Sequence, residues 1–311
     1  MTSTNLSESS GTTSIVVKAL LSIAVLGFLF SMVSPRELVH AWSGASWDWI
    51  AGAVVLTPVH LLLRAFRWRS LLAGAGEPVE AARAFRSVMV GYAFAVSTPA
   101  EVGEIAARVR MHDGVAGPRI LGLVLVEKVL HSLLILIPGI PALVLYLWGD
   151  PLTAWLALVA ILVIVVSAAL GTPRLLLLRF DETHPRLAPL ARTLREIGTV
   201  QRRTLASLAL ATIAILLVYV VQEYLLLNAV TDLGITETWN GFWAGMSVRT
   251  LVPIFVMDLG IREASHVLFF GRYGVDASAA MAVSLLMFCI NILLPSLAGL
   301  AFLFRKEAIR S

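Results

Sequence analysis

The run 152-LTAWLALVAILVIVVSAAL-170 contains no charged residue and is long enough to cross the roughly 30 Å hydrocarbon core of a bilayer. Nothing in lipid can satisfy exposed peptide groups except the chain itself, so such a run must be a helix. It is not alone. Residues 15–33, 47–66, 119–147, 152–170, 204–230 and 277–304 are all apolar over a spanning length. Hydrophobic residues make up 58% of the chain and charged ones 14%, where a soluble domain carries about a quarter charged. The expected fold class is an all-α polytopic membrane protein. Residues 15–33 exceed a typical signal-peptide core and lack a small-residue cleavage site, so they read as a retained span. The polar start, 1–14, reads as a disordered tail.

Several chemistries have no support. The one cysteine, Cys289, lies in an apolar segment, which excludes an intramolecular disulfide or a cysteine-based metal site. No P-loop, HExxH or GxSxG pattern occurs, so ATP hydrolysis and the common hydrolase mechanisms lack a motif. No metal and no cofactor is expected. The pI of about 9.6 raises the question of a nucleic-acid partner, but the positions of the charges answer it. Of 24 Lys and Arg residues, 18 fall in four clusters at 64–86, 108–119, 174–203 and 305–310, between or after apolar segments. Positive charge of this kind marks cytoplasmic loops and contacts anionic headgroups, so no nucleic acid is expected.

Two pairs of apolar pieces are too short to span: 85–97 with 103–112, and 240–256 with 261–271. Pieces of this length are more often re-entrant. With a cytoplasmic N-terminus and each pair folded back to its own side, all four basic clusters face the cytoplasm and 231-TDLGITETW-239 faces outward. The expected architecture is therefore six transmembrane helices plus two re-entrant helical hairpins in an inverted repeat. Its halves are about 15–147 and 152–304, and a basic cytoplasmic tail follows at 305–311. A faint internal similarity agrees: Pro99 and Gly103-Glu104 in the first half answer Pro253, Gly260 and Arg262-Glu263 in the second. Inverted repeats are typical of transporters with a site near the midplane.

The stretch 97-STPAEVGE-104 holds the first tip. Thr98-Pro99-Ala100-Glu101 fits a capping box, so Glu101 either closes a helix end or faces a ligand. Glu104 and Arg108, four apart, can form a local ion pair. They can instead serve a helix N-terminus that receives a phosphate or carboxylate, aided by Arg108 and Arg110. Glu127, Lys128 and His131 lie in the apolar helix 119–147. Intramembrane ionisable groups cost about 3 kcal/mol or more and point to function by default, though a Glu–Lys or Glu–His contact between helices is the plainer reading. Asp258, Gly260, Arg262 and Glu263 form the second tip, with Arg249 on the arm before it. There the plainer reading is an interfacial pair near the outer surface. Arg64, Arg67 and Arg69 with Trp68 read as an interfacial anchor, and 171–203 as a surface helix on anionic lipid.

Phe66-Arg67-Trp68-Arg69-Ser70-Leu71-Leu72, Gly91-Tyr92, Pro99 through Glu104, Arg108, Glu127 through His131 and Gly260 through Ala264 occur together in one order. In this the chain resembles the transmembrane flippase region of lysylphosphatidylglycerol synthases and its stand-alone relatives, from about residue 50 to 304. The resemblance implies translocation of a phosphate-bearing lipid across the cytoplasmic (inner) membrane: aminoacyl-phospholipid, phospholipid or polyprenyl-linked glycolipid. Three positions depart from the family pattern. Glu101 stands where the family carries Arg, and Lys128 and His131 stand where it carries Arg and Asp. The substrate is therefore not carried over. No soluble aminoacyl-transfer domain is present, so the chain alone is not expected to synthesise an aminoacyl lipid.

The expectation is a lipid flippase, not an enzyme. Its headgroup site would draw on Glu101, Glu104, Arg108, Glu127, His131, Arg262 and Glu263, with Thr98, Pro99, Gly103, Asp258 and Gly260 shaping the tips. Its partners would be lipids with anionic or zwitterionic headgroups. His131 with Glu127 is a candidate proton-responsive pair. The competing readings are a membrane-embedded glycosyl- or phospho-transferase using Glu101 or Glu104 as base, and an accessory subunit of a separate lipid-modifying enzyme.

Overall fold

The computed structural model describes residue 36 and residues 42–95, 102–112, 114–176, 200–252 and 258–307. The expected span 15–33, most of the basic loop 171–203, and Thr98, Pro99 and Glu101 lie outside the described residues. Among those described the regular structure is helical: α1 (Trp47–Gly74), α2 (Ala81–Ala95), α3 (Val102–Met111), α4 (Gly117–Trp148) and α5 (Pro151–Leu176). After the basic loop come α6 (Arg202–Val230), α7 (Ile235–Leu251), α8 (Ile261–Gly271) and α9 (Ala277–Phe288). A π-helical turn, Cys289–Leu293, then leads into α10 (Leu294–Glu307). Four helices are long and apolar enough to cross a bilayer: α1, α4, α6 and the Ala277–Phe302 segment. The fold is thus that of a multi-pass helical membrane protein.

The two ends of the bundle differ in chemistry. At one end the last residue of α1, Gly74, abuts Thr204 at the start of α6, and Arg119 at the start of α4 bonds the carbonyl of Ala75. Arg83 and Arg86 sit at that same end, reaching Met111 O and Phe302 O. At the other end Ser46 N–H donates to Ala229 O at 2.8 Å, and Arg272 bonds Tyr146 O. Trp47, Trp148 and Trp155 stand there with their rings exposed. A band of arginines at one end and tryptophans at the other is how a helical protein is held across two interfaces. Between them, exposed Val55, Leu62, Leu156, Ile164 and Leu210 present an apolar belt.

Both short pairs fold back on themselves. Arg83 near the start of α2 donates to Met111 O at the end of α3 (3.1 Å), so α2 and α3 run antiparallel. Gly241 near the start of α7 lies against the Phe270 ring at the end of α8, and α7 and α8 do the same. Each first arm packs on a long helix of the other half: α7 on α4, and α2 on α10. Glycine permits both approaches. A Cβ at Gly139 would strike Ser247 and Trp243 O, and one at Gly299 would strike Met89 O. The prolines Pro138 and Pro141 flank Gly139 inside α4, removing two backbone donors there.

Several expected boundaries shift. α1 runs past 66 through the arginine cluster to Gly74, and the interfacial-anchor reading of that cluster fails for two of its members. Arg67 and Trp68 are buried, and only Arg69 is exposed, donating to Val79 O. The reason is a partner 60 residues away: Glu127 of α4 takes the Arg67 guanidinium, so the helix does not need to end at the charge. The last span is interrupted by the π-helical turn instead of running as one helix.

Candidate functional site

The polar interior is built where α1, α2, α3 and α4 meet. Glu104 sits in the first turn of α3 and faces α2 at Gly91, where a Cβ would lie 3.1 Å from Glu104 Cγ. That space lets the carboxylate reach inward. Arg108 Nη2 donates to Glu104 Oε1 (2.5 Å) and its Nη1 to Glu127 Oε2 (2.7 Å). Arg67 holds the other oxygen of Glu127. Lys128 Nζ reaches Glu104 Oε2 at 3.0 Å, and Arg64 Nη2 approaches Glu104 Oε1 at 3.7 Å. Arg108 is only 1% exposed and its guanidinium lies 4.3 Å from the Trp68 ring centroid. The indole N–H of Trp68 donates to His112 Nε2 at 3.0 Å. Buried charges persist only when paired and hydrogen-bonded, and here four cations share two carboxylates.

Arg64 turns toward open space. Its Nη1 donates to Tyr92 Oη at 2.7 Å, and His60 Nε2 lies 2.9 Å from the same hydroxyl and 3.0 Å from Tyr219 Oη. Beyond these groups is a cavity of about 190 Å³, walled by Arg64, Tyr92, Glu104, His131 and Tyr219 on the first-hairpin side. Arg249, Asp258, Arg262 and Asn291 wall it on the other. The cavity therefore touches both hairpins.

The second tip is shaped by backbone conformation. Asp258 has φ 57° and Gly260 φ 89°, values that glycine adopts freely and aspartate tolerates. The Gly260 N–H donates to Glu263 Oε2 at 2.7 Å, which closes the start of α8 from within. Glu263 Oε1 takes Arg262 Nη2 (2.5 Å) and the Ser284 hydroxyl (3.3 Å). Among the described residues Arg262 Nη1 has no hydrogen-bond partner, although the residue is 3% exposed and lies on the cavity wall with its guanidinium over Phe288.

The sequence-derived candidates separate on this geometry. Glu104, His131, Arg262 and Asp258 line the cavity. Arg108, Glu127 and Glu263 stand behind them, each engaged with a partner. Gly103 is buried in the first turn of α3. Glu127 is held by Arg67 of α1 and Arg108 of α3, while Lys128 reaches Glu104. Arg262 and Glu263 do pair, but buried, not at a surface. Arg110 is exposed on α3 and outside the cavity wall. Tyr92, Tyr219 and Asn291 went unassigned in the sequence. Asn291, a lone amide in an apolar span, was the one with a signal to find. Among the described residues no cluster of three His, Cys, Asp or Glu side chains is placed to hold a metal ion.

No curated protein matches the chain. A family model described as the lysylphosphatidylglycerol synthase TM region matches residues 15–299. That match takes in every helix lining the cavity, and the chain belongs to the lysylphosphatidylglycerol synthase transmembrane-region family.

Proposed function

We propose that this protein is a flippase for a phosphate-bearing lipid of the cytoplasmic membrane. The observation that carries the reading is the cavity shared by Glu104 of the first hairpin and Arg262 of the second, with Arg64, Arg67, Arg108 and Lys128 gathered on the two carboxylates behind it. A cation-rich pocket of low dielectric favours a phosphate. The apolar belt leaves the acyl chains in lipid. In this reading each hairpin is re-entrant, the halves form an inverted repeat, and rocking of one against the other moves the site between faces. The arginine-rich end of the bundle is cytoplasmic, and both termini lie there. Glu104, Arg108, Glu127, His131, Arg262 and Glu263 form the headgroup site, the cavity-lining members in contact and the others holding them in place. Glu101, outside the described residues, belongs with the first tip. Lipids are the partners, with a separate lipid-modifying enzyme supplying or consuming them. The transferase alternative is weakened because both Glu104 oxygens are occupied by cations, leaving it a poor general base.

The test is reconstitution of the full chain into liposomes with labelled lipids of differing headgroup. Accelerated exchange between leaflets without chemical change supports the reading. Altered lipid product, or exchange no faster than in empty vesicles, overturns it. Topology is checked by single cysteines at Thr98 and Asp258, expected to label slowly and from opposite faces. Free labelling of the Thr98 position from outside breaks the first hairpin.

A further inference from the structure

We infer that Arg249 of α7 and Asn291 of the π-helical turn bind the headgroup phosphate from the second half of the protein. This rests on the flippase reading for its lipid and adds two contacts to that site. Both residues line the cavity, and what marks them is the partner each one holds. Arg249 Nη2 donates to the thioether of Met246, three residues earlier on the same helix. Asn291 Nδ2 donates to Met287 Sδ at 3.6 Å. A thioether can only accept, which sets the amide with its nitrogen on the sulfur. Met246 and Met287 line the cavity as well.

A thioether is a weak acceptor, so these two donors are loosely held. The other arginines around the cavity are bound to oxygen. Arg64 gives Nη1 to the Tyr92 hydroxyl, Arg67 and Arg108 hold Glu127, and Arg108 also holds Glu104. Arg262 gives Nε and Nη2 to Glu263. A phosphate oxygen arriving at any of these competes with a strong acceptor already in place. At Arg249 it displaces only sulfur and gains a charge-assisted bond. The exchange at Asn291 replaces a long contact with sulfur by an amide–phosphate hydrogen bond. Methionine is flexible enough to release both donors without moving its helix.

Two further observations agree. Among the described residues Arg249 Nε and Asn291 Oδ1 have no hydrogen-bond partner, although buried polar atoms are normally satisfied. Asn291 also sits in a π-helical turn, a distortion that recurs where a helix serves a ligand.

The experiment is a thermal-shift titration of the full chain in neutral detergent, run beside lipid exchange in liposomes. The probes are short-chain phosphatidylglycerol and phosphatidic acid, short-chain diacylglycerol as the phosphate-free comparison, and inorganic phosphate. At least one of the two phospholipids should stabilise the parent, and diacylglycerol should not. In Arg249→Gln the half-point should rise at least about tenfold, the worth of one charge-assisted hydrogen bond. In Asn291→Leu it should rise about threefold or more, that of a neutral one. Arg249→Lys, which keeps the charge and loses the fork, stands in if the glutamine variant does not accumulate, with a rise of about threefold. Met246→Leu removes only the resting partner of Arg249 and should bind as tightly as the parent or more so. Arg110→Gln, exposed and outside the cavity wall, should match the parent. Inorganic phosphate acting at the lipid's concentration, with the same dependence on Arg249, identifies phosphate itself as the ligand. A far higher half-point for it identifies the lipid.

The inference is overturned if neither phospholipid stabilises the parent, or if diacylglycerol does so equally. It is also overturned if Arg249→Gln or Asn291→Leu binds as the parent does. Losses in Met246→Leu or Arg110→Gln as large as in Arg249→Gln overturn it too, since they mark a structural or general charge effect. The two readings fail separately. Exchange equally fast in the parent and in Arg249→Gln leaves the flippase reading standing and removes this one. Phospholipid binding that depends on Arg249, with no exchange by the parent, upholds this one and removes the flippase reading.

Discussion

The two hairpins solve one problem in different ways. In the first, charge is shared widely: Glu127 of α4 is held by Arg67 of α1 and Arg108 of α3, and Glu104 by Arg108, Lys128 and Arg64. Three helices, α1, α3 and α4, are tied into one network. In the second, charge is settled within one turn, since Glu263 binds its neighbour Arg262 and the backbone of Gly260, and the only further donor it takes among the described residues is the neutral Ser284 hydroxyl of α9. The first hairpin is thus fixed to the bundle by its charges, while the second is a self-closed unit held to α4 by close packing. The difference predicts where the molecule is rigid and where it can shift.

The comparison is tested hardest at Glu127. Replacing it with Ala leaves the buried Arg67 without a carboxylate and Arg108 with only Glu104, a loss of about 3–5 kcal/mol, read as collapse of thermal stability in detergent or failure to accumulate. If Glu127→Ala folds with stability near that of the parent, the network is not what holds the first hairpin. Glu263→Gln keeps a side-chain acceptor for the Gly260 N–H but loses the charge facing Arg262. It should cost less, about 2–3 kcal/mol, and should leave the rest of the bundle's protection against hydrogen exchange intact. A loss that spreads through α1 and α4 would show the second tip to be no self-contained unit. Gly299→Ala and Gly139→Ala press a methyl into Met89 O and into Ser247 with Trp243 O. Each should destabilise by about 1–3 kcal/mol, and similar values would sharpen the likeness between the two cross-half contacts. Smallest in stability is Tyr219→Phe, about 1 kcal/mol for its contact with His60. Its effect should appear mainly as a few-fold fall in lipid exchange.

Much of this was legible along the chain. The spans near 119–147 and 204–230 match α4 and α6 closely, because a long apolar run has one way to satisfy its backbone in lipid. The half-length pieces were equally legible, and 261–271 coincides with α8. What could not be read was how charges distant in sequence meet. Arg67 reads as an interfacial anchor and Glu127 as a charge inside a span, and neither position names the other as its partner. Their pairing across 60 positions is a property of the packing of α1 on α4 and leaves no periodic trace. Tyr92 and Tyr219 join the cavity for the same reason: a tyrosine in an apolar helix has no signature until a histidine from another helix lies between two of them.

The π-helical turn at Cys289–Leu293 acts as a phase shifter. One extra residue in a helix of 3.6 residues per turn advances every following side chain by about 100°. Upstream of it, Ser284 and Met287 look toward α8 and the cavity. Downstream, Ser296 donates to Tyr92 O and Gly299 meets Met89 O, both on α2. A regular helix could serve one of these directions along its length, and the inserted residue lets a single span address both halves. Its removal would swing Gly299 out of register with α2 while leaving α9 in place, uncoupling the two hairpins by rotation alone.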